Sequence, residues 1–168
     1  MTTKRFANIA MLAAIYVVIS VVLSPFSYGP IQVRISEALT MLPLIYEPAI
    51  PALTIGCLIT NIVGTVTGVT GPIDIFVGTL ATFLAAVCTH RLRDRKIGGI
   101  PVLSILMPVI FNAVFVGLEL AWMLNPDNIL QMSLVYGMQV GIGELISVII
   151  GYLLVCYKPF AELFTDKD

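Results

Sequence analysis

Two carboxylates stand inside runs that are otherwise apolar, Glu119 in "FNAVFVGLELAWML" and Glu144 in "VGIGELISVII". An ionised side chain in hydrocarbon costs about 2.5–3.5 kcal/mol on insertion scales, so each acid asks for a cation, a proton or a ligand. Asn112, Phe115, Glu119 and Trp122 recur at spacings of three, four and three, which places an amide, a ring, an acid and an indole on one helical stripe. That stripe has the make-up of a pocket wall. Gly137, Gly141, Glu144 and Gly151 share a second face, where small residues let a neighbouring backbone or a ligand approach the acid, with Tyr136 and Gln139 on adjoining positions. The plainer alternative is helix packing, in which buried polar groups only bond a neighbouring helix, and Asn61, Ser104 and Ser147 are read that way.

The elements that must carry these residues follow from composition. The chain has 168 residues, 58% hydrophobic and only 11% charged, with a mean hydropathy of +1.00, far from the quarter-charged make-up of a soluble domain. The expected fold class is an all-α integral membrane protein. Cutting wherever Pro, Gly and charge cluster leaves six spans, at about 6–24, 35–46, 49–66, 73–90, 101–124 and 132–157, in a single membrane domain over 1–168. The basic N-terminal start resembles a signal peptide, but its apolar run is long enough to be a retained first span. The second span is short for a crossing, and "YEPAIPA" leaves little room before the third. Pro48 and Pro51 suit a tight break and a new helix start there.

Charge sets the orientation. Lys4, Arg5, Arg91, Arg93, Arg95, Lys96, Lys158 and Lys167 fall on one side of a six-span chain, and of the nine basic residues Arg34 is left opposite. Positive charge collects on the cytoplasmic side, so both termini are expected there. "HRLRDRKIGG" becomes an inner loop that anchors the topology, with His90 solvated or interfacial in it. "TGVTGPID" and "NPDNILQ" become outer loops.

Several chemistries are excluded. A net charge of −1 offers no nucleic-acid surface. Cys57, Cys88 and Cys156 lie singly, with neither a C-x-x-C nor a histidine at ligand spacing, and read as packing residues without a metal. "GTVTGVTG" lacks the lysine of a phosphate-binding loop, and neither H-E-x-x-H nor G-x-S-x-G occurs. No enzyme activity and no cofactor are expected. What survives is solute binding for transport, a subunit of a larger machine, or a structural membrane protein.

Ala10 and Ala14, with Ala7 and Ala13 beside them, give the first span a small-residue surface on which another helix can dock. Six short spans, this alanine pattern, a polar first outer loop and acids in the last two helices together resemble the substrate-binding S components of energy-coupling factor (ECF) transporters. "GPIQVRISEALTMLP" and "GPIDIFVGTLAT" are similar to the QueT family of such components. The resemblance implies a queuosine precursor such as 7-aminomethyl-7-deazaguanine, bound from outside without ATP. It also implies two cytoplasmic ATPase subunits and a coupling transmembrane subunit, docked at Ala10 and Ala14, that drive import across a bacterial cell membrane.

This substrate suits the residues already named. A guanine-like edge offers adjacent N–H donors to one carboxylate, the base has flat faces for Phe115 or Trp122, and the aminomethyl cation wants an acid. Glu119 and Glu144 are the expected acids, with the division between base and amine left open. Asn112 or Gln139 completes the base edge. Another vitamin or small cation remains a second reading, and a solute-free structural protein a third.

The remaining polar cluster follows the "SPFSYGP" loop set by Pro25, Gly29 and Pro30. Ser36 is expected to cap span two, with Glu37 in its first turn. Arg34 either pairs with Glu37 at the rim or reaches inward to the acids. A sharper form makes the loop a lid in which Gln32 or Arg34 touches the bound base.

Overall fold

A chain this apolar must satisfy its backbone hydrogen bonds within each segment once water is excluded, and helices do so. The computed structural model describes residues 3–24 and 33–165, and these are helical apart from turns and one short bridge. In chain order they form α1 (Thr3–Val22), the 3₁₀ segment η1 (Ile35–Leu44), α2 (Ala49–Val66), α3 (Asp74–Leu92) and α4 (Val102–Leu124). A single 3₁₀ turn at Pro126–Asn128 then leads into α5 (Ile129–Cys156), and α6 (Lys158–Thr165) follows. Five helices, α1 to α5, are long and apolar enough to cross a membrane, and the protein is a multi-pass membrane protein. Their outward faces carry large apolar side chains, such as Val66, Phe76 and Leu130, that belong in lipid.

The expected second span is the exception. It is a ten-residue 3₁₀ helix rather than an α-helix, with Pro43 inside it. At about 2.0 Å per residue it reaches about 20 Å, against about 15 Å for the same residues in α form. It is enclosed by protein on most sides, packing against α5, α3, α1, α2 and α4. Residues three apart eclipse in such a helix, so Glu37, Thr40 and Pro43 form one inward line, and all three are buried. The Thr40 hydroxyl donates to Glu37 O at 2.6 Å.

Glycines permit the close approaches. A Cβ on Gly151 of α5 would lie 2.0 Å from the Ala38 carbonyl oxygen of η1, and one on Gly117 of α4 would lie 2.6 Å from Gly137 Cα of α5. Between α3 and α4, Gly98 and Gly99 take φ of 60° and 86° in a two-residue turn closed by the Ile97–Ile100 bridge. That turn needs positive φ at both central positions, which glycine adopts without strain.

One end of the bundle gathers both ends of the described chain. Arg5 pairs with Glu47 at 3.6 Å, the rings of Tyr46 and Phe164 stand 5.5 Å apart, and Pro43 O lies 2.8 Å from His90 Nδ1. His90 is therefore not a solvated loop residue: it is half-buried in the last turn of α3. The His90 ring thus lies between the Pro43 carbonyl and the Arg93 guanidinium. The ends of α1 to α5 otherwise fall within a few residues of the apolar runs read from the sequence. The short amphipathic α6 was not anticipated.

Candidate functional site

The polar residues of the bundle converge opposite that end. Arg34 precedes η1 in extended conformation, and its Nη2 stands 3.7 Å from Asp74 Oδ2 at the start of α3. An acid in a helix's first turn is favoured by the exposed N–H groups there. Asn61 of α2 donates from Nδ2 to Asp74 O at 2.8 Å, tying α2 to this turn. One turn on, Gly78 leaves room for the carboxylate, since a Cβ would come within 2.3 Å of Asp74 Oδ1.

Glu37 does not pair with Arg34 at a rim. The 3₁₀ geometry turns it into the bundle, where it is 1% exposed and accepts the Tyr16 hydroxyl of α1. Ser36 is no cap either: it lies inside η1, buried, and the N-cap position falls to Arg34, with no side-chain cap bond.

Arg34, Asp74 and Glu119 line a half-open cavity of about 320 Å³, together with residues 68–71 of the α2–α3 turn and Val116, Leu120 and Met123 of α4. This is within the size range of small-molecule sites, about 300–1,000 Å³. On the far side of Glu119 a separate apolar groove of about 410 Å³ runs between α3 and α4, lined by Phe115, Trp122, Ile73 and Val77. The four-residue stripe of α4 thus splits. Asn112 and Glu119, seven residues apart, both face inward and are buried. Trp122, ten residues beyond Asn112, has rotated about 80° and is 56% exposed on the groove side. Phe115 is half-buried, with its ring 6.1 Å from that of Phe111.

Glu144 lies deeper, 3% exposed, within electrostatic reach of Glu37 and Arg34 and beside the Asn112 amide. Gln139 is half-buried on α5 and lines neither cavity. Gln32 lies outside the described residues. Of the residues read as helix-packing groups, Asn61 bridges α2 to α3 and Ser147 bonds Gly143 O of its own helix at 3.2 Å. Ala10 and Ala14 are exposed on the outward face of α1, whereas Ala13 is buried.

Charge balance defines what the site can do. Four acids, Glu37, Asp74, Glu119 and Glu144, are buried, and among the described residues Arg34 is the cation drawn in beside them, ion-paired to Asp74. Glu37 Oε2, Asp74 Oδ1, Glu119 Oε2, Glu144 Oε1 and Asn112 Nδ2 have no hydrogen-bond partner among the described residues. Buried polar atoms are normally paired, so the four orphaned carboxylate oxygens suit a ligand that brings donors and positive charge, and the Asn112 amide one that also brings an acceptor.

Three of these participants escaped the sequence reading. Asp74 had a usable signal, an acid directly preceding an apolar helical run. Tyr16 had a weaker one, a hydroxyl amid an apolar span that needs a partner. The inward turn of Glu37 had none, because α and 3₁₀ periodicities assign it different faces.

A family model described as QueT transporter matches residues 6–158. The chain is 38% identical over 95 residues to a protein named Queuosine precursor transporter QueT from Lactococcus lactis subsp. cremoris (strain MG1363). That alignment covers 55% of this chain and 53% of the other, so the match spans about half the length of the curated relative. No solved structure matches.

Proposed function

Because the chain belongs to the QueT transporter family, we propose that it is the substrate-capturing S component of an ECF transporter and takes up a queuosine precursor. The cargo is 7-aminomethyl-7-deazaguanine or a close deazapurine, held in the cavity of Arg34, Asp74 and Glu119. The observation that carries this reading is the excess of buried, hydrogen-bond-deficient carboxylates over cations around that cavity. A base with a donor-rich edge and an ammonium group supplies what those acids lack. The chain performs no chemistry on its cargo, and energy comes from two ATPase subunits through a coupling membrane subunit. The outward set of Ala10 and Ala14 supports α1 as the docking face for that subunit.

The topology that fits is six crossings with η1 as the second, both termini cytoplasmic, and the substrate cavity facing outward. The gathering of Arg5, Glu47, His90, Arg93 and Phe164 at one end supports it, since basic residues favour the cytoplasmic side. Calorimetry on the purified chain tests the function. A Kd at or below about 1 µM, about −8 kcal/mol, is expected for 7-aminomethyl-7-deazaguanine. Absence of binding at that level, with tight binding of thiamine or another vitamin, would replace the substrate assignment.

A further inference from the structure

Two acids line the cavity, and their surroundings differ. Asp74 is ion-paired to Arg34 through Oδ2, its main-chain oxygen is held by Asn61, and Gly78 makes room for Oδ1. Glu119 has no ion pair among the described residues, its Oε2 is buried without a hydrogen bond, and the residue is 7% exposed. It shares the cavity with Asp74 and Arg34, whose ion pair is already made.

A carboxylate already neutralised by a guanidinium keeps its lone pairs but little net charge, so it suits neutral N–H donors. One with no ion pair of its own, sharing its cavity with a second acid, gains most from a ligand's positive charge. The geometry points to a division of labour: Asp74, held by Arg34, accepts the N–H edge of the base, and Glu119 takes the primary ammonium. Glu144 does not line the cavity and belongs to the packing beneath it, beside Asn112 and Glu37. This assignment rests on the proposed deazapurine cargo and makes Glu119 the residue that selects an aminomethyl base over an uncharged one.

The test compares two ligands on the purified full chain, 7-aminomethyl-7-deazaguanine and its nitrile counterpart, 7-cyano-7-deazaguanine, which share the base edge but not the cation. Wild-type protein is expected to bind the amine at least about tenfold more tightly, the worth of one modest charge-assisted contact. Glu119→Gln should bring that ratio close to one by weakening the amine far more than the nitrile, and Asp74→Asn should weaken both ligands alike. A wild-type ratio near one overturns the assignment whatever the variants do. So does a Glu119→Gln protein, monodisperse on a sizing column, that loses both ligands equally, or an Asp74→Asn protein that loses the amine alone. Should Glu119→Gln not fold, Glu119→Asp decides: a selective loss of amine binding supports the assignment, and an equal loss overturns it. If neither compound binds wild-type protein, the cargo itself is wrong, an outcome distinct from a wrong division between the acids.

Discussion

The hydroxyl of Tyr16, midway along α1, donates to the carboxylate of Glu37 in η1, and the two residues are 2% and 1% exposed. This contact fastens the first helix to the 3₁₀ segment at the centre of the bundle. Tyr16 also packs against Gly56 of α2, where a Cβ would meet the ring at 3.0 Å. Three elements meet at one side chain.

Tyr16→Phe keeps the ring and removes the donor, leaving a second oxygen of Glu37 unsatisfied. A loss of about 1–3 kcal/mol is expected, read as a lower unfolding midpoint in detergent. Adding Glu37→Gln should recover part of it, since an amide carries no buried charge. An unchanged midpoint in Tyr16→Phe would mean that the bond does not stabilise the fold.

Gly151 and Gly141 of α5 face different neighbours, η1 and α4, and should respond in opposite ways. A methyl at Gly151 meets the Ala38 carbonyl oxygen at 2.0 Å, so Gly151→Ala must push η1 away, at a cost of about 3 kcal/mol. At Gly141 the nearest atom is Ala113 Cβ at 3.4 Å, an ordinary contact, and Gly141→Ala should be neutral or gain up to about 1 kcal/mol of helix propensity. Thermal unfolding of both variants side by side measures the difference.

Arg34→Ala strips the counter-ion from Asp74 and leaves the buried acids facing one another. Breaking a fully buried pair costs about 3–5 kcal/mol; Arg34 is 17% exposed, so solvent screening reduces this. Dissociation of the bound deazapurine should accelerate, seen in stopped-flow or washout kinetics, and Arg34→Lys should restore only part of the slow release because it lacks the planar fork. Equal release rates in all three proteins would remove Arg34 from the binding site.

On α1 the outward and inward alanines separate docking from folding. Ala10→Trp or Ala14→Trp should abolish co-purification with coupling and ATPase subunits while leaving ligand affinity intact. Ala13→Trp, at a position 4% exposed, should instead lower stability by overpacking. Retained co-purification in both outward variants would move the docking face elsewhere.

Sidedness is open to chemical labelling. In a background lacking Cys88 and Cys156, with buried Cys57 kept, Thr67→Cys should react with an impermeant maleimide in intact cells. Lys96→Cys should react only after permeabilisation. The reverse pattern would invert the topology.

Much of this protein was legible along the chain because the lipid environment simplifies the physics. Long apolar runs bounded by Pro, Gly and charge place α1 to α5 within a few residues, and Glu119 and Glu144 stand out because burying an acid is costly wherever it occurs. The blocks "GPIQVRISEALTMLP" and "GPIDIFVGTLAT" pointed to the family that the match over residues 6–158 establishes. Tertiary structure decided the rest. Whether residues 35–44 wind as α or 3₁₀ depends on neighbours such as Gly151, which admits the Ala38 carbonyl, and that choice turns Glu37 inward to Tyr16, 21 residues earlier. Arg34 could reach Glu37 by local spacing, yet its partner is Asp74, brought near by the packing of α3 against η1. Local periodicity reports which face of a segment is apolar; which acid meets which cation depends on how separate segments pack.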